Sequence, residues 1–418
     1  MRVCVLGAGI VGLATAWQLL QDGHDVTVVD RAGAGAGASG ANGAQLSYAY
    51  VQPLADPGIW AQLPRLLLAK DSPLALRPRW DVDQWRWGLS FLAACRVDVS
   101  RRSTAQLLAL AAESRGAFDA LRAAHPLDCD FSATGKLVLY GNDRSFAAAR
   151  RQLALQQSLG TQQTAVSAAE ALAIEPALQD HRSRIAGAIH TPGECAADCY
   201  KVCQALLRLL HANGARTVFS ANVSGVVVRA GRAVAVETDT ESIDADAFVV
   251  ALGSASSRLA RSLGLYLPVY PLKGYSITLP ASDNAPRVNV TDAARKVVFA
   301  RIGQRLRVAG MAELVGDDLS IPSARIGSLV AAAQTVFPGC AEFSRYEPWA
   351  GLRPATPDGV PVIGLHARGP ANLLFNTGHG ALGFTLAFGS ARRVAGMLAA
   401  QPHARLSPVA PVPVPCNV

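Results

Sequence analysis

Three glycines near the start of the chain are spaced to hold phosphate. Gly7, Gly9 and Gly12 stand in the pattern Gly-x-Gly-x-x-Gly, with Ala16 four residues later. Gly7 permits a tight strand-to-helix turn, Gly9 lets backbone approach a pyrophosphate, and Gly12 lets the helix pack closely on the strand. The phosphates then lie at a helix N-terminus, where free N–H groups and the dipole favour negative charge. Asp30, 18 residues beyond Gly12, is placed to accept hydrogen bonds from ribose hydroxyls and to repel a 2′-phosphate. The ligand that fits is an adenine dinucleotide, FAD or NAD.

The elements that must position these residues are legible around them. Arg2–Leu6 reads as a buried strand, Ile10–Gln21 as a helix ending near Gly23, and residues 25–30 (DVTVVD) as a second strand closing on the acid. Residues 3–20 are also an 18-residue run without charge, which by hydropathy alone fits an export signal or a short membrane span. The glycine punctuation and the strand that follows favour the nucleotide-binding βαβ opening. Residues 32–45 (AGAGAGASGANGAQ) read as a flexible linker or as a loop wrapping a long cofactor with its amides. Residues 224–229 and 232–237 suggest a small meander leading back to a parallel strand at 247–253. Residues 372–385 (NLLFNTGHGALGFT) read as strand, glycine turn and helix start, aiming amides and a positive dipole at an anionic group. In a flavoprotein that group is the N1–C2=O edge of the reduced isoalloxazine. Nicotinamide enzymes do not need this last element, so FAD is preferred.

Composition sets the outer bounds. The chain has 418 residues, 50% hydrophobic and 17% charged, with mean hydropathy +0.22, which excludes a disordered chain, a coiled coil and a collagen. Lys and Arg number 39 against 31 Asp and Glu, a net charge of +8 that favours acidic partner surfaces. No run of five or six basic residues marks a nucleic-acid tail. Eight cysteines form no disulfide scaffold, so a reducing compartment is the default. Cys195, Cys199 and Cys203 suit one helix face and core packing better than zinc or iron–sulfur ligation, and no metal site is expected.

Longer motifs carry a family likeness. They are VLGAGIVG at 5–12, ANGAQ at 41–45, YPLKGYS at 270–276, RVAGMAE at 307–313, GLRPATPDG at 351–359 and NTGHG at 376–380. Through them the chain resembles the FAD-dependent D-amino acid dehydrogenase (small subunit) family, within the amino-acid oxidase, glycine oxidase and sarcosine oxidase group, over nearly its whole length. The resemblance implies an α/β fold (α+β overall). A Rossmann-like FAD-binding domain would comprise residues 1–60, 197–268 and 340–418. A substrate domain on a large mixed sheet would comprise 61–196 and 269–339. It further implies oxidative deamination: a D-amino acid and water give a 2-oxo acid, ammonia and reduced flavin. Electrons would pass to a quinone or other respiratory acceptor, with the protein peripheral on the cytoplasmic side of a bacterial inner membrane or cytoplasmic.

That chemistry moves the α-hydrogen, formally as hydride, to flavin N5 from a neutral amine, so the site must chiefly orient the substrate. Arg353, in WAGLRP, matches the arginine that clamps the α-carboxylate across the wider family. A guanidinium suits the task because it binds both oxygens in one plane. The competing reading is an exposed or structurally paired arginine, with Arg301 or Arg307 as the cation instead. Tyr275, Tyr48 and Tyr50 are candidate assistants, or tyrosines of a domain interface. The resemblance assigns non-covalent FAD contacts to Gly7, Gly9, Ile10, Val11, Gly12, Asp30, Arg31, Ser39, Ala41, Asn42, Gly43, Ala44, Gln45, Gly253, Gly378, His379, Gly380 and Leu382. His379, between two glycines, is expected to shape the flavin pocket rather than act as a base. Trp60, Trp80, Trp85 and Trp87, interleaved with Arg65, Lys70, Arg77, Arg79 and Arg86, suit a lipid headgroup interface or an ordinary helical cover. Residues 407–418, with four prolines, read as an extended end. Rival functions are oxidation of cyclic imino acids such as D-proline or hydroxyproline, or of glycine- and sarcosine-like amines. More remote are a flavoprotein acting on RNA and a membrane-bound subunit using FAD structurally. No nucleic-acid partner is expected.

Overall fold

The computed structural model describes residues 1–51, 53–55, 58, 74–158 and 160–400. Trp60, Arg65, Lys70 and the proline-rich tail lie outside the described residues. Val3, Cys4, Val5 and Leu6 are all buried, and such a run, apolar on both faces, makes a central parallel strand. Arg2–Leu6 lies between Ala247–Val250 and Asp25–Val29 in a six-stranded sheet. Leu373–Thr377 and Arg216–Val218 extend it in parallel, and Val362–Leu365 closes one edge antiparallel. Helix Ile10–Gln21 follows the first strand, and Gly23 stops it at φ +80°. The expected meander is the antiparallel sheet Val223–Arg229, Arg232–Thr238 and Ser242–Asp244.

A nine-stranded mixed sheet forms the second layer. Its long central strands Tyr270–Pro280 and Arg305–Leu314 run antiparallel, and helix Ser323–Val336 packs beneath them around Phe299 and Phe337. The α/β architecture with a large mixed sheet therefore stands as expected.

Two segments sit differently from the expected partition. Strand Glu347–Ala355 pairs along Tyr270–Pro280 in the large sheet, so that sheet extends to Ala355 and not to a boundary at 340. Helix Val97–Ala124, expected in the substrate domain, packs its buried Leu107, Leu110 and Phe118 into the nucleotide-side core. The physical reason is a close helix crossing. A Cβ at Gly389 would come within 2.5 Å of the Leu110 carbonyl, and Phe118 stacks on Phe388 at 4.8 Å. Neither contact is visible to local sequence patterning.

The described part of the Trp- and Arg-rich segment divides. Trp87 is buried and donates its indole N–H to the Ala355 carbonyl, which makes it core. Trp80, Val82, Trp85 and Leu89 are exposed along helix Val82–Ala94 and the turn before it. Cys195, Cys199 and Cys203 are buried in the nucleotide-side core.

Candidate functional site

A cavity of about 1200 Å³ opens between the two sheets. Pockets for small ligands usually span roughly 300–1,000 Å³, so this one has room for a dinucleotide with a second molecule. All the residues expected at the site line it except Gly12, Gly378 and Tyr48.

The glycine turn is built as its spacing demands. Gly7 adopts φ +111°, and a Cβ there would strike the Ala251 carbonyl at 2.4 Å. Gly12 has no room at all, since its Cβ would stand 1.8 Å from the Gly7 carbonyl. Gly9 is different: a Cβ would meet only Ser39 Oγ, at 3.5 Å, and otherwise faces the cavity. Ser39 Oγ accepts the Ile10 N–H at 3.0 Å, tying the 32–45 loop to the helix start. Asp30 accepts the Ala8 N–H on Oδ2 at 2.8 Å, and the Ala32 and Gly33 N–H groups on Oδ1. Its carboxylate thus organises both turn and loop while still lining the cavity. Further along, Ser276 and Arg307 donate to the Ala41 and Asn42 carbonyls, fixing the loop against the large sheet.

Opposite the glycine turn, residues 376–385 present the start of helix Gly383–Ala400 to the cavity. Gly378 makes the turn at φ +85° and packs against Thr356. Both ring nitrogens of His379 and the Oδ1 of Asn376 are buried at this wall and find no hydrogen-bond partner among the described residues. Buried polar atoms are ordinarily paired, so these await a ligand with donors and acceptors on its edge.

The large sheet supplies a cation. Arg353 lies across Gly274, where a Cβ would come within 2.2 Å of its Nη2, and its Nη1 donates to the Met311 carbonyl at 2.8 Å. No carboxylate among the described residues pairs with it. Depth in the protein pulls its guanidinium down to about 10, so it is charged at neutral pH.

The family description FAD dependent oxidoreductase matches residues 2–397. The chain belongs to that family of FAD-dependent oxidoreductases. It is 49% identical over 413 residues to D-amino acid dehydrogenase 2 of Ralstonia nicotianae, covering 96% of each chain. It is 47% identical to D-amino acid dehydrogenase 2 of Pseudomonas aeruginosa, over 96% of this chain and 95% of that one. Among solved structures, glycine oxidase from Geobacillus kaustophilus shares the fold, with a TM-score of 0.76 at 22% identity over 96% of both chains.

The residues present fit FAD. The open face of Gly9 and the first amides of helix Ile10–Gln21 would take the pyrophosphate, Asp30 the ribose, and the unpartnered atoms of Asn376 and His379 the polar edge of the ring system. Burial drives His379 from its ordinary 6.5 to about 3, so the imidazole is neutral. A depressed value means the folded state binds fewer protons than the unfolded state between those limits. The resulting stability is complete above pH 6.5 and is lost as pH falls towards 3. Wild type and the non-titrating His379→Gln should therefore diverge in melting temperature as pH drops below about 6.5, wild type losing more. Parallel acid profiles would refute a buried neutral imidazole.

The tyrosines are not brought together. Tyr50 lines the cavity, with Lys136 Nζ 4.5 Å above its ring. Tyr48 is buried in the nucleotide-side core, away from the cavity lining. Tyr275 touches the cavity, but its ring belongs to the cluster under the sheet and its hydroxyl donates to Glu313 at 2.6 Å.

Sequence reading passed over Lys136, a 3%-exposed cation in the cavity wall. Its ammonium donates to Ser47 Oγ at 2.8 Å, and burial lowers it to about 8. A lysine opening the apolar run KLVLY reads as a strand end at the surface, so its sequence carries no signal of this position.

Proposed function

We propose that the chain is a D-amino acid dehydrogenase, oxidising D-amino acids to 2-oxo acids and ammonia. The observation that carries this reading is the near-full-length identity of 49% and 47% to proteins named for that activity. The Arg353 guanidinium in the cavity wall, which no carboxylate among the described residues neutralises, supports it as a receptor for the α-carboxylate. When bound, FAD supplies the acceptor for the α-hydrogen and its electron pair. Arg353 receives both carboxylate oxygens in one plane and so turns the α-carbon towards the cofactor. Leu54, Met311 and Ala312 give the wall an apolar stretch for the side chain. The amino acid leaves as an imino acid, which takes up water and releases ammonia. No side chain need act as acid or base if the amine enters neutral. The test is anaerobic: D-alanine should bleach the flavin and L-alanine should not. Bleaching by both, or only by glycine or D-proline, would overturn the assignment.

The same reading extends to the acceptor. A quinone at a membrane surface is supported by the exposed apolar row of Val82 (81% exposed), Trp85 (52%) and Leu89 (68%), with Trp80 beside it and Arg77, Arg79 and Arg86 interleaved. Among the described residues no helix is long and apolar enough to cross a membrane, so contact would be from one side. Burying one large apolar side chain contributes roughly 1.5–3 kcal/mol, so Trp85→Ser with Leu89→Ser should weaken binding to phosphatidylglycerol vesicles by at least about tenfold. Cosedimentation unchanged by the pair would count against this surface. Peroxide formed one for one with turnover in air would count against a quinone.

A further inference from the structure

The cation that would receive the carboxylate is not held by an acid but by a defect in the sheet. Strand Arg305–Leu314 pairs with Tyr270–Pro280 through Tyr275 opposite Gly310 and Lys273 opposite Glu313. Gly274 alone therefore faces two residues, Met311 and Ala312, which is a β-bulge. Met311 sits there at φ +61°, a backbone region that side-chain-bearing residues hold only where their surroundings enforce it. The bulge turns the Met311 carbonyl to Arg353, and Gly274 leaves the flat slot in which the guanidinium lies.

Something must hold this geometry, and the other side of the sheet provides it. Tyr275, next to Gly274 on one strand, donates to Glu313 Oε2 at 2.6 Å. Glu313 stands two residues past Met311 on the other strand and is 2% exposed. Its Oε1 is 2.7 Å from Arg325 of helix Ser323–Val336. The three side chains tie both strands and the helix together at the bulge.

We propose that Glu313, through Tyr275 and Arg325, is the positioning residue that locks this bulge and thereby sets the orientation of Arg353 towards substrate carboxylate. The proposal rests on the carboxylate-binding role of Arg353 given above. Glu313 does not line the cavity. It acts by keeping the Met311 carbonyl aimed.

The test uses the FAD-loaded protein with Glu313→Gln, which keeps an acceptor for Tyr275 but loses the charge facing Arg325. A misplacement of about 1 Å can cost up to roughly 100-fold in a positioned reaction. The expected result is a rise of about tenfold in KM for D-alanine, with kcat within about twofold of wild type. The dissociation constant for pyruvate, followed by the flavin spectrum, should rise by the same factor. FAD content should be unchanged. D-alanine methyl ester, which has no carboxylate, should be used equally by variant and wild type. Tyr275→Phe removes only the hydroxyl and serves if Glu313→Gln folds poorly; it should move the same quantities in the same direction. Wild-type KM and pyruvate affinity in both variants, or an equal loss on acid and ester, would overturn the proposal. Failure of the underlying reading looks different. If Arg353→Ala keeps the wild-type preference for acid over ester, Arg353 is not the clamp. If it loses that preference while both bulge variants behave as wild type, only the role of Glu313 falls.

Discussion

Arg353→Ala is expected to lower kcat/KM for free D-amino acids by roughly 30-fold to several thousand-fold. Truncating one partner of a desolvated charge-assisted pair costs about 2–5 kcal/mol, and about 1.4 kcal/mol is tenfold. Two features of the structure place Arg353 towards the severe end. Its guanidinium is deep enough to be pulled down to about 10, and no carboxylate among the described residues already occupies it. Arg353→Lys keeps a charge but cannot fill the planar slot over Gly274 while reaching the Met311 carbonyl, so it should recover only part of the loss. FAD content should stay near wild type in both. The deciding comparison is acid against methyl ester: wild type should prefer the acid strongly and Arg353→Ala should not. Retained preference in the alanine variant would transfer the clamp to another cation, with Lys136 now ahead of Arg307. Arg307 spends Nη1 on the Asn42 carbonyl, whereas Lys136 stands in the cavity wall.

Gly9→Val should abolish retention of FAD while leaving a folded protein. The two outcomes separate because the space beyond Gly9 belongs to the cavity and not to the chain. The Cβ there meets no backbone, and a branched side chain fills the approach to the phosphates. Gly12→Ala offers the contrast. Its Cβ would overlap the Gly7 carbonyl at 1.8 Å, so helix and strand must separate and stability should fall along with the cofactor. The measurements are flavin absorbance per protein after desalting, and thermal unfolding. A yellow Gly9→Val protein with wild-type FAD content would place the pyrophosphate elsewhere.

What could be read from the sequence was local in origin. The glycine turn, Asp30, the 32–45 loop and the turn around His379 each announce themselves within a dozen residues, because tight backbone approach leaves glycines behind. The wall formed by the large sheet did not announce itself, apart from Arg353, which the family likeness singles out. Tyr275 shares its strand with Gly274, and which face its ring takes depends on a register fixed by Arg305–Leu314, some thirty residues away in the chain. The bulge has Gly310 beside it, yet its positive φ falls on Met311, a residue type that gives no local sign of that conformation. Lys136 looks like a surface residue until Thr191 and Asn289 pair on either side of it. Helix Val97–Ala124 changes sides because of Gly389, nearly three hundred residues later. Non-local pairing decided each of these, and composition or periodicity cannot report it.

The triple acceptor role of Asp30 bears on redesign of nucleotide preference. Acid at this position is the obvious target for an engineer who wants a 2′-phosphorylated cofactor, since neutralising it removes the repulsion. Here the same carboxylate receives the amides of Ala8, Ala32 and Gly33, which belong to two different segments. Asp30→Ala would leave three donors to find other partners, those of Ala8 and Gly33 part-buried and that of Ala32 open to water. The phosphate turn and the wrapping loop would loosen together, so a one-residue exchange would trade recognition for collapse of the cradle. A workable exchange has to bring replacement acceptors for those amides along with the new charge.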